Sequence, residues 1–235
     1  MSIQYTISSE IFDKFPNYCR GVVVAQNINN SHSSTELVAS LRAAESELRT
    51  QLDPKDLLDT PQIASWRDSY SQLGFKPGKN RPSMEALIRR ILKNNPLPSI
   101  NKVVDLGNLV SIQNLVPVGA HAIDVVSEDL MLRLATGKEI FEAFGSDVVE
   151  KPNPSESVFA EGNTVLTRRW TWRQAKHTLV VPETTAIEIN VDGLPPVTIQ
   201  DIKQICGEVV DLVQKYCGGE VNFNILTRNN PAIHL

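Results

Sequence analysis

Histidine and cysteine, the side chains that most often bind metals in proteins, are scarce in this sequence of 235 residues. An odd number of cysteines at wide spacing argues against a disulfide framework or a zinc site, and scattered histidines form no metal-binding cluster. We therefore expect free thiols in a reducing compartment and no bound metal. The residues concerned are Cys19, Cys206, Cys217, His32, His121, His177 and His234.

The sequence also lacks the common motifs of cofactor and hydrolase chemistry. It contains no G-x-x-x-x-G-K-[ST], no G-x-G-x-x-G, no G-x-S-x-G and no H-E-x-x-H. These motifs mark nucleotide hydrolysis, dinucleotide binding, the serine hydrolase elbow and zinc peptidase chemistry. We expect none of these reactions and no cofactor.

Long apolar runs and a secretory signal are missing as well, since no stretch approaches the roughly 20 apolar residues of a membrane-spanning helix. We expect a cytoplasmic protein with no membrane partner. The net charge of −4 and the pI of about 5.6 do not favour broad attraction to nucleic acids. We therefore expect no DNA partner, and an RNA contact would need a local basic patch.

Hydrophobic periodicity predicts an α+β fold: a single domain, residues 1–235, with layered mixed sheets, an N-terminal helical segment and a C-terminal helix. Helices are predicted at residues 34–52, 61–73, 83–93 and 198–216. Ser33 and Glu36 have capping-box spacing, and Ser83 occupies a possible N-cap position. Strands are predicted at residues 3–8 (an edge strand), 21–26, 130–134, 148–149, 157–160, 164–167, 177–181, 186–191 and 221–226.

The most unusual stretch is residues 103–124, V-V-D-L-G-N-L-V-S-I-Q-N-L-V-P-V-G-A-H-A-I-D. It places Asn108, Ser111 and Asn114 in an apolar segment and presents His121 after a proline–glycine turn. Buried polar side chains must be hydrogen-bonded or face a ligand. This stretch is therefore the best candidate for a pocket wall, and a hydrogen-bonded structural histidine is the alternative.

A second unusual run is T-R-R-W-T-W-R-Q at residues 167–174. On a strand, Arg169, Thr171 and Arg173 would share one face, and Arg168 would share the other with both tryptophans. Such a surface suits stacking, anion binding or cation–π packing. The alternative is a tryptophan pair that covers a sheet, with the arginines paired to acidic residues.

A basic loop, F-K-P-G-K-N-R-P, precedes the third predicted helix. Its cations Lys79 and Arg81 lie next to a helix start, where anions bind readily. A phosphate-contacting patch and a solvated charged surface are both compatible with this pattern.

These residues also carry a family resemblance. Val104-Asp105, Asn108 and His121-Ala122-Ile123-Asp124 resemble the V-D-[VI]-T-N and Q-P-[ML]-H-A-F-D signature of the tRNA-editing module, the third-and-fourth domain, of the bacterial phenylalanyl-tRNA synthetase beta subunit. The runs W-R-D-S-Y-S-Q-L-G, R-P-S-M-E-A-L-I-R-R-I-L, D-L-G-N-L-V-S, R-R-W-T-W-R-Q and E-T-T are similar to free-standing members of that family. The similarity extends over about residues 18–191.

In the synthetase this module hydrolyses tyrosine mischarged onto phenylalanine tRNA. The resemblance implies a hydrolase that deacylates mischarged aminoacyl-tRNA in trans, and the alternative is a non-catalytic module that binds RNA or an amino acid in the same pocket. The implied partner is the aminoacylated 3′ end of a tRNA, and no prediction follows for the oligomeric state.

The same resemblance implies the roles of individual residues. His121 and Asn108 match the histidine and the asparagine that line the editing pocket, so they are the candidate catalytic pair. Either Glu188 or Asn190 corresponds to the glutamate that recognises the substrate, and Glu188 could pair with the α-ammonium group. The tryptophan–arginine run replaces a glycine-rich loop of the synthetase, which predicts a reshaped pocket. The remaining candidates are Trp170 and Trp172 for the substrate, and Arg168, Arg169, Arg173, Lys79 and Arg81 for RNA.

Overall fold

The computed structural model describes residues 3–146 and 148–235. Its helices are α1 (Ser9–Lys14), α2 (Thr35–Gln51), α3 (Pro61–Gln72), α4 (Ser83–Leu92), α5 (Lys102–Asn114) and α6 (Ile199–Tyr216). Its strands are β1 (Gln4–Ile7), β2 (Cys19–Gln26), β3 (Val118–Ala122), β4 (Leu130–Leu134), β5 (Phe141–Glu142), β6 (Val149–Glu150), β7 (Ser157–Glu161), β8 (Thr164–Arg168), β9 (Arg173–Gln174), β10 (Ala186–Gly193), β11 (Glu220–Leu226) and β12 (Ala232–His234).

Two sheets form the centre of the protein. The large sheet has the strand order β12-β1-β4-β7-β8-β9, and the small sheet has the order β11-β2-β10-β3. Strands β1 and β4 pair in parallel, whereas the other neighbours in both sheets are antiparallel. A separate hairpin joins β5 and β6. The mixed sheets and the surrounding helices confirm the predicted α+β class.

Helix α6 packs against β2, β10 and β11 of the small sheet. The strand glycines permit this close approach, because a Cβ atom on Gly21 would lie 2.1 Å from Cys206 Sγ, and one on Gly193 would lie 2.8 Å from Ile202 Cγ1. Helix α5 packs beside α6, and α2 packs on α5. One face of the small sheet is therefore covered by helices, and its other face is left for the large sheet.

The predicted amphipathic helices are confirmed as α2, α3, α4 and α6, with bounds within two residues of the prediction. Two predicted caps are wrong. Ser34, not Ser33, is the N-cap of α2 and accepts a hydrogen bond from Leu37 N at 3.2 Å, while Ser33 donates to Asp105. Ser83 is the first residue of α4, and Pro82 precedes it as the cap.

Three further predictions differ from the structure. The predicted edge strand β1 lies inside the large sheet, because β12, which was not predicted, pairs with it. The strand predicted at residues 177–181 is wrong, since this segment is a turn and irregular chain that crosses β3, where Ala122 N donates to the Thr178 carbonyl at 3.0 Å. The run at residues 167–174 is not one strand, because β8 ends at Arg168 and a turn separates it from β9.

Among the described residues, no helix combines the length and apolar character needed to cross a membrane.

Candidate functional site

Alternation along β10 gives the small sheet one apolar face and one polar face. Glu188, Asn190 and Asp192 are separated by Ile187, Ile189 and Val191, so the two sets point to opposite sides. Cross-strand pairing places His121 of β3 opposite Glu188 and Arg20 of β2 opposite Asp192. The polar face meets the large sheet, where Arg20 lies over the Phe159 ring.

A buried ion pair anchors this polar face. Arg20 Nε donates to Asp192 Oδ1 at 2.7 Å, and Arg20 Nη2 donates to Asp192 Oδ2 at 3.1 Å. Tyr18 donates its hydroxyl hydrogen to the same carboxylate, and Tyr5 OH accepts from Arg20 at 2.8 Å. Burial opposes the charge of Arg20, but Asp192 keeps the pKa of the guanidinium well above its ordinary value. Because both partners are fully buried, their charges are compensated inside the protein, by each other, by these hydroxyl groups and by the Asn190 amide, which donates to Asp192.

A cavity of about 160 Å³ lies beside this ion pair, between the two sheets. Its wall combines residues of the polar face with residues of β8, of β9 and of the turn between them. The lining residues are Arg20, Ser83, Pro117, Val118, Gly119, His121, Phe159, Thr167, Trp170, Thr171, Trp172, Arg173, Gln174, Asn190 and Asp192.

His121 connects the two walls of the cavity. Its Nδ1 atom lies 2.7 Å from Thr178 Oγ1 and 3.4 Å from Gln174 Nε2, and its Nε2 atom lies 3.1 Å from Thr167 Oγ1. An amide nitrogen only donates, so Nδ1 is the acceptor and we assign the ring hydrogen to Nε2. Burial, assisted by the charge of Arg20, lowers the pKa of His121 to about 3. The ring is therefore neutral at pH 7 and donates to Thr167.

The turn after β8 determines where the two tryptophans point. Arg169 and Trp170 have φ angles of 50° and 67°, a left-handed conformation that non-glycine residues seldom adopt. The hydroxyl of Tyr70 supports the turn by donating to the Arg169 carbonyl at 2.6 Å. Trp170 consequently packs in the core, 1% exposed, with the rings of Phe15, Tyr18 and Trp66 around it. Trp172 is half-buried and lines the cavity, to which Trp170 also contributes.

The three arginines of this run have different environments. Arg168 is buried and donates to Glu156 at 2.7 and 2.8 Å and to Glu150 at 2.6 Å, so its guanidinium is already engaged inside the protein. Arg169 lies over the Trp172 ring at 4.3 Å. Arg173 lines the cavity, is 37% exposed and pairs with Glu150 at 3.1 Å. The predicted phosphate contact of Arg168 stays a prediction, and Arg173 is the most accessible of the three arginines.

The structure separates the two candidates on β10. Asn190 lines the cavity, and its Nδ2 atom donates to Asp192 Oδ2 at 2.9 Å. Glu188 is fully buried and is not one of the lining residues, and among the described residues neither of its carboxyl oxygens has a hydrogen-bond partner. Burial raises the pKa of Glu188 to about 8, although Arg20 opposes this effect. Glu188 is therefore largely protonated at pH 7 and does not face the cavity.

The remaining candidates from the sequence do not line the cavity. Asn108 is half-buried on α5 and is not part of the cavity wall. Lys79 and Arg81 are exposed on the loop before α4, two to four residues from Ser83, which does line the cavity. In the part of the chain that the structure describes, no group of three or more histidine, cysteine or acidic residues is arranged to hold a metal ion.

Several lining residues were not among the site candidates from the sequence, including the polar side chains of Arg20, Thr167, Gln174 and Asp192. Asp192 continues the alternation of β10, and Arg20 begins a β-branched buried strand. A charged residue in such a strand must find a buried partner, and that requirement is the signal that could have identified the pair.

Comparison with known proteins identifies the family of this chain. The model of the family described as the B3/4 domain matches residues 65–218, about two thirds of the chain. A comparison with curated proteins finds no match. Among solved structures, the chain is similar to an N-terminal fragment of the phenylalanyl-tRNA synthetase beta-subunit from Pyrococcus horikoshii, with a TM-score of 0.49 and 11% identity. The match covers 93% of this chain and 50% of that fragment, so the chain spans about half the fragment's length.

Proposed function

Because the chain belongs to the B3/4 domain family, we propose that it hydrolyses the ester bond of mischarged aminoacyl-tRNA, acting in trans to any synthetase. The observation that carries the proposal is the polar cavity of about 160 Å³ between the sheets, with His121 in its wall. Ester hydrolysis needs a positioned water, donors for the developing oxyanion and space for the aminoacyl group. The sequence resemblance to the tRNA-editing module supplies the substrate class.

In this proposal Thr167 is the donor to the ester. His121 Nε2 donates to Thr167 Oγ1, and this bond leaves the hydroxyl hydrogen of Thr167 available for an acceptor in the cavity. The ester carbonyl oxygen, which becomes negative in the transition state, is such an acceptor. The buried charge of Arg20 adds a positive potential at the same wall. His121 thus acts by orienting Thr167, and not as a general base.

The residues around the opening are suited to the 3′ end of a tRNA. Trp172 is half-buried in the cavity wall, where its ring can stack against the terminal adenine. Arg173, Lys79 and Arg81 provide cations close to the cavity for the neighbouring phosphates. Arg169 supports the Trp172 ring from 4.3 Å. We assign no substrate contact to Arg168, Glu188 or Asn108.

The second candidate is a non-catalytic module that binds RNA or an amino acid in the same cavity. The observation that favours it is the environment of His121, because both ring nitrogens are engaged by threonines and the pKa of about 3 is far from the operating pH of an efficient general base. Such a histidine stabilises a shaped pocket whether or not the pocket catalyses a reaction.

A deacylation panel distinguishes the two candidates. Purified protein is incubated with correctly charged and mischarged aminoacyl-tRNAs, and released amino acid is measured against a buffer blank. We expect release above the blank for at least one mischarged tRNA, and a loss of about 100-fold for Thr167→Val, as is typical when an oxyanion donor is removed. Thr164→Val, on the same strand but outside the cavity, is the matched control.

Salt-dependent binding without turnover on any member of the panel would favour the non-catalytic module. Full activity of Thr167→Val would leave the hydrolase proposal standing but remove Thr167 from its mechanism.

A further inference from the structure

Two side-chain carbonyl oxygens belong to residues of the cavity wall and receive no hydrogen bond from any residue that the structure describes. Resting on the proposed function, we infer that the cavity binds the free α-ammonium group of the aminoacyl substrate between Asn190 Oδ1 and Gln174 Oε1. The accepted class is therefore α-aminoacyl esters, whereas N-acylated and peptidyl esters are excluded.

The orientation of the Asn190 amide is determined by its neighbour. Asn190 Nδ2 lies 2.9 Å from Asp192 Oδ2, and a carboxylate in an ion pair only accepts, so the nitrogen must face Asp192. Oδ1 consequently points away from the ion pair. The amide lies over Gly119, where a Cβ atom would approach Oδ1 to 2.9 Å. Among the described residues, none donates a hydrogen bond to Oδ1.

The Gln174 amide is oriented in the same way. Its Nε2 atom donates to the Ala120 carbonyl at 2.8 Å and lies 3.4 Å from both the Thr178 carbonyl and His121 Nδ1. The two carbonyls can only accept, so the nitrogen must face them and Oε1 is the other end of the amide. No donor to Oε1 is present in the described part of the chain. Gln174 and Asn190 both line the cavity, which therefore offers two free acceptors.

The hydrogen bond from Asn190 to Asp192 strengthens one of these acceptors, while Asp192 also neutralises the nearby Arg20. The Asp192 carboxylate already accepts four hydrogen bonds, from Tyr18, Asn190 and two nitrogens of Arg20, so it has little capacity left for a ligand. Its negative charge polarises the Asn190 amide through the Nδ2 hydrogen bond, and this makes Oδ1 a stronger acceptor. An ammonium group satisfies two neutral acceptors with charge-assisted hydrogen bonds, which are stronger than those of a neutral hydroxyl.

Binding of non-hydrolysable ligands tests the inference separately from catalysis. The probes are 3′-amide-linked alanyl-, valyl- and tyrosyl-adenosine, together with the α-hydroxy and N-acetyl form of each, titrated calorimetrically into the wild-type protein. We expect at least one ammonium form to bind roughly tenfold or more tightly than its α-hydroxy and N-acetyl forms.

Variants of Gln174 test whether this residue causes the preference for the ammonium form of the probe. Gln174→Met removes the acceptor and should abolish most of the preference, whereas Gln174→Glu retains an acceptor, adds negative charge and should keep or increase it. Gln113→Met, at an exposed glutamine of α5, is the matched control and should behave as wild type. If Gln174→Met does not fold, the Gln174→Glu comparison still tests the sign of the effect.

The outcomes separate the two proposals. Equal binding of the ammonium, α-hydroxy and N-acetyl forms, or a preference unchanged in Gln174→Met, would overturn the ammonium site and leave the hydrolase intact. Binding of no probe by the wild-type protein would overturn the ammonium site, and the deacylation panel would decide the hydrolase independently. Ammonium-selective binding without deacylation would support the ammonium site and refute the hydrolase.

Discussion

The buried carboxyl group of Glu188 should make the stability of this protein fall as the pH rises. Its pKa is raised from an ordinary 4.5 to about 8 by burial, with Arg20 opposing and Asp192 adding to the effect. Between these values the unfolded chain loses the proton while the folded protein keeps it. The contribution of the protonated Glu188 to folding stability is therefore fully present below pH 4.5 and is lost as the pH approaches 8. Over this range the free energy of unfolding falls by about 1.4 kcal/mol per pH unit, on the order of 5 kcal/mol in total.

Glu188→Gln isolates this effect, because the amide resembles the protonated carboxyl group in shape but does not titrate. We expect the variant to become more stable relative to wild type by roughly 1 kcal/mol for each unit from pH 5 to 8. Urea unfolding at pH 5, 6, 7 and 8 measures the difference. His121, the other strongly shifted group of this face, is present in both proteins, so its contribution cancels. The exposed Glu183→Gln serves as the control and should keep the wild-type pH dependence.

Parallel stability curves for wild type and Glu188→Gln across this range would refute the reasoning. They would mean that Glu188 is ionised in the folded protein at neutral pH, with a partner that the hydrogen-bond pattern does not contain. A pH-independent offset between the curves would not bear on the argument, because replacing a carboxyl by an amide changes packing and hydrogen bonding equally at every pH.

Three further predictions concern the cavity and its surroundings. Because the pKa of His121 is about 3, the pH–rate profile of deacylation should show no limb near 6.5, and a limb there that disappears in His121→Ala would contradict the neutral role. Arg168→Ala should lower the free energy of unfolding by about 3–5 kcal/mol, because it removes both short hydrogen bonds of the buried Glu156 and leaves this carboxylate only the longer contact with Arg169 at 3.6 Å. Arg173→Ala, at a more exposed ion pair, should cost about 1 kcal/mol or less in urea unfolding, and similar losses for the two variants would argue against a structural role for Arg168. Single alanine variants of Lys79, Arg81 and Arg173 should each reduce the slope of log affinity for tRNA against log salt concentration by about 0.7. The exposed Lys138→Ala is the control, and an unchanged slope in any of the three variants would exclude that residue from phosphate contact.

The sequence predicted the helices with one apolar stripe but not α5. Helix α5 buries eight of its thirteen residues, including Asp105 and Ser111, so apolar and polar positions do not separate onto two faces. Hydrophobic periodicity therefore carries little information there. Its polar side chains have structural partners, since Asp105 accepts from Ser33 and Ser99 and Ser111 donates to the Val116 carbonyl at 2.7 Å. The predicted pocket wall of residues 103–124 is thus a buried helix followed by the short strand that carries His121.

The candidate site was predictable only where strand alternation governs it. The order E-I-N-V-D places Glu188, Asn190 and Asp192 on one face, but alternation does not say which of them meets the cavity. Which of these residues meets the cavity depends on how far the large sheet extends along β10. The turn at Arg169 and Trp170 has no glycine or asparagine to signal its left-handed conformation, and its support by Tyr70 comes from a residue about a hundred positions away. Local sequence patterns do not contain such information.

The two walls of the cavity should therefore tolerate insertions very differently. An extra residue within β10 would exchange its two faces, moving Asn190 and Asp192 towards α6 and the neighbouring apolar side chains into the cavity. An extra residue between Thr171 and Trp172 would follow the buried Trp170 and lie in a connection between two antiparallel strands that stay paired through Thr167 and Gln174. The site therefore has one wall, on β10, whose length is fixed by the sheet, and a second wall, in the turn between β8 and β9, whose length can vary. Where proteins with this architecture bind ligands of different size, we expect the difference to lie in the second wall.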